Sequence, residues 1–107
     1  MKKIAERQYL LDPNETARVS VTAPGTFFGA NFDIDEQGGG PLSNGQIIPV
    51  AKPQSGLRTL TILFTFSGTA GGHYVVAIKG DNGGSDTDEV DQGAFGIPST
   101  SREYLFQ

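Results

Sequence analysis

Two neighbouring stretches alternate strictly between bulky apolar and smaller or polar side chains. Leu60, Ile62, Phe64 and Phe66 fall on one face of an extended segment, with Thr61, Leu63, Thr65 and Ser67 on the other. After Gly68-Thr69-Ala70-Gly71-Gly72, Tyr74, Val76 and Ile78 alternate with Val75, Ala77 and Lys79. Successive side chains of a β-strand point to opposite faces, so this period of two, rich in β-branched and aromatic residues, predicts extended chain. The short Gly-rich connection predicts that the two runs form a β-hairpin. That hairpin is the expected centre of an all-β domain.

The same alternation recurs along the chain. Ala17, Val19, Val21 and Ala23 share a face before Pro24-Gly25, and Phe28, Ala30, Phe32 and Ile34 share another. Tyr9 and Leu11 suit an early strand, and Ile47, Ile48 and Val50 a short one that Pro49 confines to an edge or a bulge. Gln37 to Gly45, with three consecutive glycines, reads as a loop outside any ladder. Between Gly80 and Ser101 only Val90, Ala94, Phe95 and Ile97 are available for burial, and a short strand is expected around residues 87–92. The closing Leu105-Phe106-Gln107 resembles what picornaviral 3C proteases leave at a cleaved recognition site, yet Tyr104, Leu105 and Phe106 have the composition of a last strand.

Fifteen glycines and six prolines in 107 residues punctuate the chain too often for long helices, and no amphipathic helix is visible. The expected architecture is a single domain over residues 1–107. It is a two-sheet antiparallel β-sandwich of immunoglobulin-like or jelly-roll type with seven or eight short strands, and a small barrel is the runner-up.

Composition removes several chemistries. There is no cysteine, hence no disulfide, thiolate metal site or thiol nucleophile. A net charge of −4 without a basic stripe argues against nucleic acid and anionic membrane as partners. Met1-Lys2-Lys3 resembles the start of a signal peptide, but Ala5-Glu6-Arg7-Gln8 supplies no apolar core, and no run approaches the ~20 apolar residues of a membrane span. A cytoplasmic protein, or a domain of an exported one, is expected.

The densest polar cluster is Asp81 to Asp91. Calcium takes six to eight oxygen ligands, and a Gly-rich loop bearing Asp81, Asp86, Asp88 and Asp91 has the chemistry to supply them if it folds back on itself, although the EF-hand order is missing. Otherwise the run is a solvated acidic edge. Asp33, Asp35 and Glu36 form a second acidic group, expected on a wet strand face. His73 is the only histidine, and a triad with Ser67 or Ser85 has no nucleophile elbow behind it. Glycan binding would have to rely on Tyr9, Tyr74, Tyr104 or Phe27, residue types usually drawn into a core.

The second face of the central hairpin carries Leu63, Val75 and Ala77, which predicts a cover, either a loop or a second copy of the chain. The expected function is a non-catalytic accessory or binding module presenting its Gly/Asp-rich loops to a protein or glycan partner, with calcium as a conceivable stabiliser. The alternatives are a structural protein that self-associates as a homodimer through an apolar face or open edge, and a small carboxylate-based hydrolase.

Overall fold

A computed structural model describes residues 1–23, 27–92 and 99–107; the side chains of Phe27, Phe28 and Ser99 lie outside that description, as do Pro24-Gly25 and the expected burial of Ala94, Phe95 and Ile97. Ten strands follow in order: β1 Lys2–Ala5, β2 Gln8–Leu10, β3 Thr16–Thr22, β4 Phe27–Ile34, β5 Gly38–Leu42, β6 Ile47–Ala51, β7 Leu60–Gly68, β8 His73–Gly80, β9 Ser85–Asp91 and β10 Ser99–Phe106. They form a six-stranded sheet, β1-β2-β10-β7-β4-β5, facing a four-stranded sheet, β6-β3-β8-β9. Every pairing is antiparallel except that of β2 with β10. The described residues form a sandwich of ten strands, where seven or eight were expected, and not a closed barrel. No helix among the described residues is long and apolar enough to cross a membrane.

Alternation decides which side chains meet between the sheets. Leu60, Ile62, Phe64 and Phe66 on β7 face Val19, Val21, Val76 and Ile78 on the other sheet, and all are buried. Burying each such side chain contributes about 1.5–3 kcal/mol. Aromatic rings run through the centre: Phe64 stacks on Phe66 at 5.9 Å and meets Tyr104 edge-on at 5.8 Å, while Tyr9 stacks on Phe106 at 5.5 Å. Tyr104 and Phe106 are fully buried, and β10 pairs with β7 from Ser99 to Phe106, so the closing residues are part of the core.

The expected central hairpin does not form. β7 pairs with β10 and β4, β8 pairs with β3 and β9, and Gly68–Gly72 carries the chain from one sheet to the other. The alternation holds in both strands, but their apolar faces oppose each other across the core and do not lie side by side. Gly68 makes this arch possible, because a Cβ there would run into the ring and hydroxyl of Tyr74.

The glycine run expected as a loop is also a strand. β5 pairs with β4 over Gly38–Leu42, and a Cβ at Gly39 would meet the carbonyl of Phe32. Close backbone approach, here at a sheet edge, is a recognised use of glycine in strands. Pro49 lies on β6, an edge strand, as its missing N–H requires. The strand expected near residues 87–92 is β9.

Candidate functional site

β9 is an edge strand with two carboxylates on its inner face. Asp86 and Asp88 alternate with Thr87 and Glu89 and lie on the same side as the buried Val90. Facing them from the other sheet are two tyrosines and three cations. Asp86 accepts from the Tyr9 hydroxyl at 2.8 Å and pairs with Lys3 Nζ at 2.7 Å. Asp88 Oδ2 accepts from the Tyr104 hydroxyl at 2.6 Å and from Arg7 Nε at 3.2 Å, and Arg102 Nε lies 3.2 Å from the same oxygen.

The electrostatics of these groups follow from that arrangement. The Lys3 ammonium, helped by the Tyr9 hydroxyl, holds Asp86 below its ordinary carboxyl value against the opposing effect of burial. Burial first, then the neighbouring Asp86, pushes the Tyr9 phenol well above its ordinary value. Burial and Asp88 do the same to Tyr104.

The four aspartates expected as metal ligands are not brought together. Asp86 and Asp88 face inward and are taken by cations, Asp81 lies 3.6 Å from Arg18 Nε, and Asp91 lies 2.6 Å from His73 Nδ1 at the other end of β9. A strand separates them because β9 is extended, and the loop they were expected to share is only the turn between Gly80 and Ser85. Among the described residues, no group of three or more His, Asp or Glu side chains is placed to hold a metal ion.

His73 opens β8 at the rim of the sheet, and Asp91 beside it raises its pKa. Ser85 pairs with Lys79, at the far end of β8 from His73, and the Ser67 hydroxyl donates to the Gly29 carbonyl at 3.4 Å, so the structure shows neither serine bonded to His73. Leu63 is exposed on the outside of the larger sheet, whereas Val75 and Ala77 are half-buried on the outside of the smaller one. The three do not share a face because β7 and β8 belong to different sheets. Asp33 and Asp35 are exposed at the end of β4, as expected of a wet strand face.

One end of the sandwich carries clefts. The segment Ala51–Gln54 walls an open cleft of 590 Å³ together with Glu36, Gln37 and Ser55, and a second of 350 Å³ together with Asn14 and Glu15. Side chains hold the surrounding turns. Gln37 donates to the Ala51 carbonyl at 2.7 Å, and the Ser55 hydroxyl donates to Glu36. Glu15 is buried and accepts from the backbone N–H of Asp12 at 2.9 Å and of Asn82 at 3.1 Å, and from the Met1 amine at 2.6 Å. Burial alone would raise its carboxyl pKa; the amine and the two N–H donors outweigh that and lower it. Glu15 thus joins the turn after Leu11 to the turn after Gly80.

The cations and tyrosines of the inter-sheet cluster were absent from the expected site. A signal for them exists in the sequence: Arg102 shares a strand face with Tyr104 and Phe106, as Asp86 and Asp88 do with Val90. Their partnership, between residues as much as 81 apart, has no local signature. Comparison with protein-family models, curated proteins and solved structures finds no match to this chain.

Proposed function

We propose that this chain is a non-catalytic binding module that engages a protein or glycan partner through the end of the sandwich where the 35–37, 52–59 and 81–84 connections gather. The observation that carries this reading is the pair of clefts sharing Ala51–Gln54 as a wall. Lys52 and Gln54 offer an ammonium and an amide, Pro53 adds an apolar surface, and the donors of Gln37 and Ser55 are already used to hold the turns. A small number of polar groups beside an apolar one is the usual composition of a ligand site; with Tyr9, Tyr74 and Tyr104 buried in the core, a glycan there would be held by hydrogen bonds and not by aromatic stacking. The turns are tied by side-chain hydrogen bonds, so little order has to be gained on binding. The reading does not depend on calcium.

The test is a glycan array followed by titration of any hit into isotope-labelled protein. Amide shifts should centre on residues 36–37 and 51–55, and Lys52→Ala with Gln54→Ala should weaken binding at least tenfold without lowering the melting temperature. Shifts centred elsewhere, or unchanged binding by the double variant, would reject the assignment.

A second reading, self-association, draws on Ile47, the most exposed large apolar side chain among the described residues at 56%. It lies across Ser20 from Ala77 on the outer face of the smaller sheet. A mass that rises with concentration, and that Ile47→Asp returns to monomeric, would favour it.

A further inference from the structure

Asp88 gathers more positive charge than one carboxylate neutralises. Arg7 and Arg102 both place Nε 3.2 Å from its Oδ2, and the Tyr104 hydroxyl occupies the same oxygen. The neighbouring carboxylate, Asp86, is already taken by Lys3 and Tyr9. Two guanidinium groups therefore stand side by side over one negative charge.

Among the described residues, their donors are largely unused. Arg7 donates to Asp88 through Nε alone. Arg102 is close enough for an ion pair, but its Nε is buried without the alignment of a hydrogen bond. Among the described residues, no hydrogen bond uses the terminal amino groups of either side chain. The Arg102 side chain is 24% exposed and that of Arg7 36%, so both are partly desolvated yet reachable. A guanidinium presents a planar fork that matches a carboxylate, sulfate or phosphate in two-point contact.

We propose that Arg7 and Arg102 form a site for a single oxyanion, a carboxylate, sulfate or phosphate group, at the side of the sandwich where β9 faces the β1–β2 turn. One such group balances the second guanidinium. Glu103 alternates with Arg102 and Tyr104 and so lies on the outer face of β10, away from Asp88. This site is separate from the clefts at Ala51–Gln54 and stands whether or not those bind a partner.

The experiment titrates acetate, sulfate and inorganic phosphate into the protein at neutral pH, with ionic strength held constant by chloride. The arginine Nε–Hε resonances and the melting temperature are followed. The expected result is a saturable shift of the Arg102 and Arg7 resonances by at least one of the three anions, with a rise in melting temperature, and the ranking of the anions identifies the group preferred. Arg102→Lys keeps the charge but loses the fork and should weaken binding at least tenfold. Arg7→Gln is the second variant, should the first fail to fold. Shifts that never saturate, that chloride reproduces, or that survive in the folded variant would overturn the proposal.

Discussion

The Tyr104 hydroxyl donates to Asp88 Oδ2 at 2.6 Å, joining an interior strand of one sheet to the edge strand of the other. Two sheets packed through apolar side chains are held by contacts that are individually non-directional. The Tyr104–Asp88 and Tyr9–Asp86 bonds add direction: each fixes where β9 sits along β10 and β2.

Tyr104→Phe removes the hydroxyl and leaves Asp88 with its cations alone. The loss of a buried hydrogen bond to a charged acceptor is expected to cost about 1.5–3 kcal/mol. Urea unfolding should show a lower midpoint with unchanged slope. Asp88→Asn in the Tyr104→Phe background should cost less than in the wild type, because the two residues share one interaction.

Alkaline pH should destabilise the fold through the same tyrosines. The phenols of Tyr9 and Tyr104 are raised in the native state above the ordinary value of 10.0. Above that pH the unfolded chain releases these protons while the folded one keeps them, so the stability they contribute is complete below pH 10 and is lost as pH rises beyond it. Phenolate absorbance from these two residues should appear only together with unfolding, and Tyr9→Phe should flatten the dependence.

Acid should act through Asp86 and Glu15, whose native carboxyl values lie below the ordinary 3.8 and 4.5. The stability from these groups is present above those values and is lost as pH falls through and below them. Chemical denaturation at a series of pH values should show a decline beginning near pH 4.5 that is shallower in Asp86→Asn. Glu15→Ala leaves buried N–H donors of two turns unmatched and should cost roughly 3 kcal/mol at neutral pH.

Two glycines are tested by adding one methyl group. Gly68→Ala drives a Cβ into Tyr74, whose ring stacks on Phe66 at 6.1 Å, and Gly39→Ala drives one into the Phe32 carbonyl. Each is expected to cost about 1–3 kcal/mol by overpacking. Gly40→Ala, where the added atom meets open space, should be near neutral, and a thermal melt of the three variants gives the comparison.

The sequence was legible wherever the relevant physics is local. Leu60, Ile62, Phe64 and Phe66 announce a strand with one buried face, and Pro49 announces an edge, because strand pleat and proline geometry act within a few residues. Gly38-Gly39-Gly40 misled, since a low-propensity strand is held by a neighbour, β4, that propensity does not see. Asp86 and Asp88 stood out as acidic, but their engagement by Lys3, Arg7 and Arg102 had to await the chain's return.

By itself, the order of residues determined an all-β chain, the inner and outer side of its main strands, and the lack of thiol chemistry. Only the tertiary structure decided that β7 and β8 belong to opposite sheets, that Leu63 therefore faces away from Val75 and Ala77, and that the acidic strand is an inter-sheet clasp. The physical reason is that side-chain alternation depends on one strand's own geometry. Strand partnership depends on which distant segments bury the most apolar surface together, and a five-residue Gly-rich link such as Gly68–Gly72 serves a hairpin or an arch equally well.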